Sequence, residues 1–195
     1  LVREETDMSQ VAHPFRTTFA EFCDMQLPGD TRYELIDGQV IAMNQPSLRH
    51  GVLTASLAHV LRTVLDGRCF VSGPVGVYCV ATDEGFGPDL VVFCDEPRFD
   101  DIRGRALVNP RAIFEILSPT TERVDKRAKL RRYRTLESLQ EYVLIAQDEK
   151  YIEIYRRARE GWIWQDVTSG TFEICGASVS IDAIYDRIDL VPRVS

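Results

Sequence analysis

Two periodicities divide the hydrophobic and polar positions of this chain. Between residues 48 and 65, Leu53, Leu57, Val60, Leu61 and Val64 recur at helical spacing. They predict an amphipathic helix stopped by Asp66-Gly67. Thr18-Phe19-Ala20-Glu21 has the capping-box pattern and predicts a short helix ending before Leu27-Pro28-Gly29-Asp30. Most other apolar residues come in strand-length runs. Tyr33-Glu34-Leu35-Ile36 and Gln39-Val40-Ile41-Ala42-Met43 flank Asp37-Gly38, a hairpin signal because both turn positions need positive φ. Residues 69 to 81 read as one or two strands broken at Gly73-Pro74, Asp83 to Gly87 as a turn, and residues 95 to 110 as a polar surface loop. Ser118-Pro119-Thr120-Thr121 offers cap residues for a helix of roughly 121 to 136. A strand over 141 to 146 follows, then alternating strands over 150 to 157 and 161 to 167. A last strand near 178 to 181 and a short helix from Asp182 complete the pattern.

Two of these runs stand apart. Leu90-Val91-Val92-Phe93-Cys94, after Gly87-Pro88-Asp89, and Ala112-Ile113-Phe114-Glu115-Ile116-Leu117 are nearly continuous in apolar residues. Such runs read as strands buried on both faces, yet each carries a carboxylate. A buried ionised carboxylate is costly unless paired, so Glu115 demands a partner. For two converging carboxylates a hard divalent cation bound through oxygens is the simplest one. A strand, a loop and a return strand fit between Asp89 and Glu115, which allows both acids to reach one sheet edge. A strand-end charge facing solvent accounts for Asp89 almost as well, but accounts poorly for Glu115. The order of elements gives an α/β or α+β layer fold, a mixed central sheet flanked by helices after an amino-terminal helix and hairpin. Residues 1 to 16 read as a flexible arm and 17 to 195 as one domain.

Composition adds exclusions. Of 195 residues, 45% are hydrophobic and 27% charged, as in ordinary globular proteins. No apolar run approaches the ~18 residues that span a bilayer, and the amino end lacks the apolar core of a secretory signal. Cys23, Cys69, Cys79, Cys94 and Cys175 are scattered without a C-x-x-C pair, which reads as a cytoplasmic protein with free thiols. The net charge of −7 argues against coating nucleic acid by bulk electrostatics. Locally the balance reverses. Arg123, Lys126, Arg127, Lys129, Arg131, Arg132 and Arg134 crowd the helix after Thr121.

Lys129 and Lys126 are the candidate cations for the acidic pair, because helical side chains lean toward the amino end of their helix. Each basic residue taken alone also fits a solvated helix face. Glu34, among apolar neighbours in the first hairpin strand, is a further candidate acid or a surface strand residue. His50 stands at the start of the long helix, where capping and surface roles compete with catalysis. No zinc spacing, P-loop, nucleophile elbow or dinucleotide fingerprint is present.

Taken together, these pieces resemble the putative restriction endonuclease family within the PD-(D/E)XK nuclease superfamily. The resemblance rests on Tyr33-Glu34-Leu35-Ile36-Asp37-Gly38, Pro46-Ser47-Leu48-Arg49-His50, Pro88-Asp89, Glu115-Ile116-Leu117-Ser118-Pro119-Thr120-Thr121, and Asp125, Lys129 and Tyr133 leading to Glu141-Tyr142. It implies a restriction-endonuclease-like core and hydrolysis of phosphodiesters in nucleic acid, DNA first. Mg²⁺, with Mn²⁺ as substitute, would sit between Asp89 and Glu115, with the Leu117 carbonyl as a further ligand. Glu34 would be the additional acid. The superfamily expects a lysine two residues after Glu115, and this chain has Leu117 there. The resemblance assigns that role to Lys129, with Lys126 second, and His50 as a secondary catalytic candidate. Arg123, Arg127 and Arg131 would contact phosphates, and a homodimer would suit a double-strand cutter. The alternative is a lapsed site on the same fold, acting as a nucleic-acid- or protein-binding module.

Overall fold

The computed structural model describes residues 16–117 and 125–193, the second stretch with side chains from residue 128 onward. The arm expected over 1 to 16 therefore lies outside the described residues, apart from Arg16. So do Arg123 and the cap Ser118-Pro119-Thr120-Thr121, and the side chains of Lys126 and Arg127.

The local signals act where the sequence puts them. Helix α1 (Phe19–Asp24) starts at a complete capping box between Thr18 and Glu21. Strands β1 (Tyr33–Ile36) and β2 (Gln39–Ala42) pair through Asp37-Gly38, both with positive φ. Helix α2 (Leu48–Val64) is capped by Ser47 and buries Leu53, Leu57 and Leu61 completely. Each fully buried leucine stabilises the fold by ~1.5–3 kcal/mol. The next strands are β3 (Phe70–Ser72), β4 (Val77–Cys79), β5 (Glu84–Phe86), β6 (Leu90–Phe93) and β7 (Ala112–Leu117). Helix α3 (Asp125–Tyr133) leads into β8 (Glu141–Ala146), β9 (Ile152–Ala158) and β10 (Gly161–Val167). Strands β11 (Thr171–Ile174) and β12 (Ala177–Ser180) and helix α4 (Ile181–Ile184) follow.

A six-stranded sheet of order β10-β9-β8-β7-β6-β3 forms the centre, with β7 and β8 parallel and the other pairs antiparallel. Side-chain alternation sorts its residues between two cores. Leu90, Val92, Phe114, Ile116, Val143 and Ile145 pack against α2, with β11, β12 and α4 behind them. Val91, Ile113, Tyr142 and Leu144 face the other way, against α3. Val77, Cys79 and Phe86 join that second core from a four-stranded sheet of order β2-β1-β5-β4. This is the mixed sheet flanked by helices that the element order predicts. Among the described residues no helix is long and apolar enough to cross a membrane.

Three expectations are corrected. Residues 84 to 86 are a strand, β5, pairing with both β1 and β4, so only Asp83 keeps the left-handed turn conformation. The loop over 95 to 110 is not simply a surface loop, because Asp100, Ala106, Leu107 and Asn109 are buried. Asp100 organises it by accepting the N–H groups of Ile102, Arg103, Gly104, Arg105 and Ala106. Third, Cys69 and Cys94 are joined in a disulfide, while Cys23, Cys79 and Cys175 are free thiols. The pairing of Phe70 with Phe93 puts Cys69 and Cys94 opposite each other. Only the strand register reveals that proximity.

Candidate active site

Antiparallel β6 and β7 match Leu90 to Phe114 and Val91 to Ile113. Continuing this register by one residue sets Asp89 opposite Glu115. Alternation turns both toward the α3 side, since Val91 and Ile113 face that core. The Ile116 N–H donates to Asp89 Oδ2 at 2.8 Å, locking the acid to the neighbouring strand. A glycine completes this corner: a Cβ on Gly73 would stand 2.2 Å from the Asp89 carbonyl oxygen.

From α2 comes His50. Ser47 Oγ accepts its N–H at 3.1 Å and itself donates to Gln147 Oε1 at 2.9 Å. Arg49 donates to the carbonyls of Gln147, Ile188 and Val191, so the first turn of α2 is tied to the residue after β8 and to the segment 188–191. The imidazole Nε2 then lies 2.9 Å from Asp89 Oδ1. Arg32 also approaches Oδ1, at 3.8 Å. Asp89 is therefore held at both oxygens, and Arg32 is a neighbour that no sequence pattern signalled.

The opposite wall comes from β1 and α3. Lys129 Nζ donates to Glu34 Oε1 at 2.9 Å and reaches Glu115 Oε1 at 3.4 Å. One helical turn on, the Tyr133 hydroxyl donates to the same Glu115 oxygen at 3.1 Å. The Gly87 N–H supports Glu34 at 3.0 Å. Glu34, Asp89, Glu115 and Lys129 are 4%, 7%, 8% and 6% exposed, so the lysine is buried with the acids and does not belong to a solvated face. Arg132 likewise leaves the basic face: it is buried and pairs with Glu84 and Asp37, anchoring α3 to the four-stranded sheet. Arg134 lies over the Trp162 ring, 5.5 Å from its centroid. Arg131 is exposed, as a phosphate contact would require. Leu117 closes β7 opposite Ala146.

Burial pushes the Glu115 carboxyl up to about 7; Lys129 and the Tyr133 hydrogen bond oppose the shift, while Asp89 and Glu34 add to it. Burial, then the Glu115 charge, hold Tyr133 well above the ordinary phenol range, so it remains a donor. Two carboxylates, Glu34 and Glu115, thus meet on one ammonium, while Asp89, opposite Glu115 across the strand pair, is met by His50 and Arg32. A hard divalent cation suits this set: the donors are oxygens, acidic groups outnumber the lysine, and added positive charge would favour the ionised Glu115.

Known proteins share the family and the fold of this chain. A family model described as "Uma2: Putative restriction endonuclease" matches residues 19–175. Two uncharacterized proteins of Synechocystis are similar to the chain. One is 31% identical over 161 residues, covering 80% of this chain and 90% of the relative. The other is 31% identical over 160 residues, covering 79% and 83%. A crystal structure from Anabaena variabilis, described as a putative nuclease, superposes with a TM-score of 0.70 at 20% identity. The likeness covers 88% of this chain and 98% of that one, and it shows a shared fold.

Proposed function

The chain belongs to the Uma2 family, and from that premise we propose that it is a metal-dependent nuclease hydrolysing phosphodiester bonds in DNA. The observation that carries the reading is Lys129, drawn from α3 to within 3.4 Å of Glu115 and 2.9 Å of Glu34. A lysine supplied by the helix replaces the one that Leu117 cannot provide.

Asp89, Glu115 and the Leu117 carbonyl would hold Mg²⁺, or Mn²⁺ in its place. When bound, such an ion acidifies a water and offsets charge on a phosphate oxygen. Lys129 orients the attacking water and stabilises charge building on the phosphate. Glu34 keeps Lys129 in place from the far side. Tyr133 holds Glu115 in one rotamer through its hydroxyl, and His50 fixes Asp89 the same way. Arg123, Arg127 and Arg131 contact neighbouring phosphates, which positions the duplex without reading its sequence. We place this activity in the cytoplasm, with a homodimer cutting two strands.

The alternative is a lapsed site retained as a binding module. Both oxygens of Asp89 already accept protein hydrogen bonds, which favours it. Incubation with duplex DNA, single-stranded DNA and RNA, with and without Mg²⁺ or Mn²⁺, separates the two. Metal-dependent cleavage lost in Lys129→Met supports the nuclease. Absence of cleavage on every substrate, with binding retained, supports the module.

A further inference from the structure

Asp89 stands before one end of β6, and Cys94 follows the other. The strand separates them by roughly 16 Å, at ~3.3 Å per residue. At the Cys94 end three sulfurs converge from distant parts of the chain. Cys69 follows α2, Cys94 follows β6, and Cys175 occupies the turn between β11 and β12. Their sulfurs all lie within 4.8 Å of one another. All three residues are half-buried. The Glu141 carboxylate, itself 6% exposed, accepts the Cys175 N–H at 3.0 Å, and its Oε2 is 3.5 Å from the Cys175 sulfur.

In this oxidised form Cys69 and Cys94 are bonded to each other. Once that bond is reduced, a tetrahedral Zn²⁺ with Zn–S near 2.3 Å would need its sulfurs about 3.8 Å apart, and all three already gather within 4.8 Å. Two guanidinium groups border the cluster and would offset its charge: Arg68 reaches the Gly176 carbonyl and Arg156 the Glu173 carbonyl. We propose that reduced Cys69, Cys94 and Cys175 form a three-thiolate binding site for Zn²⁺, its Cys175 turn held by Glu141, that exchanges with the Cys69–Cys94 disulfide. The site is independent of the nuclease reading.

The exchange balances. A dithiol reductant gives two electrons and two protons to the Cys69–Cys94 bond, which breaks to two thiols as the reductant closes to a disulfide. Binding of Zn²⁺ then releases the protons of the coordinating thiols. A small-molecule disulfide reverses the change, re-forming Cys69–Cys94, leaving two reduced small thiols and freeing the metal.

Co²⁺ is the probe, because thiolate ligation gives an ultraviolet charge-transfer band that oxygen ligands do not. The full chain, reduced with a phosphine, should bind one Co²⁺ with that band and yield it to Zn²⁺. Oxidation with diamide should abolish the band in the same sample, a control that needs no variant. Cys175→Ser should weaken binding by ~100-fold or more, while Asp89→Asn leaves the band intact. Absence of a thiolate band in reduced, folded protein would overturn the proposal. So would undiminished Co²⁺ affinity in Cys175→Ser.

Discussion

Two buried carboxylates, Asp100 and Glu115, show how differently one chain treats the same chemical group. Asp100, 5% exposed, is met by five backbone N–H groups of its own loop. Burial pushes its carboxyl up, but the N–H groups of Ala106, Arg103, Arg105 and Gly104 outweigh this and hold it down at about 2. Glu115, 8% exposed, faces side chains: Lys129 and Tyr133 as donors, Asp89 and Glu34 as rivals. It rises instead, to about 7. A carboxylate that serves the fold is surrounded by donors that stabilise its charge. One pushed upward by burial and by like charges marks a candidate functional group, and the role we propose for it is binding a cation.

This contrast can be broken at either end. The largest effect should come from the lysine beside Glu115. Lys129→Met should lower metal-dependent cleavage by ~10²-fold or more, about 2.7 kcal/mol in the barrier, with DNA affinity nearly unchanged. Equal cleavage by parent and variant would move the role to Lys126 or remove it.

Asp100→Ala should cost ~1–3 kcal/mol of stability, because it leaves backbone donors without their acceptor. The response of the melting temperature to Mg²⁺ should persist. The pH dependence gives a finer test. The folded pKa of Asp100 is depressed from 3.8 to about 2, so its contribution is complete above 3.8 and fades as pH falls toward 2. Urea melts across that window should show this acid limb in the parent and a shallower one in Asp100→Ala. Identical limbs would show that the loop does not depend on the charge.

The smallest effect concerns the outer face of α3. Replacing Arg127 and Arg131 with Ala should flatten the log–log salt dependence of DNA binding by ~0.9 for each phosphate that the variant no longer neutralises. An unchanged slope would leave that face merely solvated.

What the sequence disclosed, and what it hid, follows the range of each interaction. Helix α2, the Thr18 capping box and the Asp37-Gly38 turn depend on neighbours within four residues, and all three were legible. Asp89 and Glu115 were legible too, as charges interrupting apolar runs. The bond between Lys129 and Glu34 spans 95 residues, and only the packing of α3 between two sheets creates it. Arg132 looked like its basic neighbours because nothing local distinguishes a buried guanidinium from a solvated one. The Cys69–Cys94 bond needed the β3–β6 register. Strand β5 was missed because Glu84, Gly85 and Phe86 carry no alternation, and pairing on both edges makes it a strand.

If Glu115 is buried to bind a divalent cation, its removal must abolish the response of the fold to metal. Thermal unfolding with and without Mg²⁺ or Mn²⁺, in the parent and in Glu115→Gln, measures that response. The parent should melt higher with metal, by the RT ln(1 + [L]/Kd) that ligand linkage requires. Glu115→Gln should match or exceed the parent without metal, since it removes a buried charge, and should gain nothing from the ion. An equal metal-induced rise in both proteins, or none in either, would rule out a cation held by Glu115.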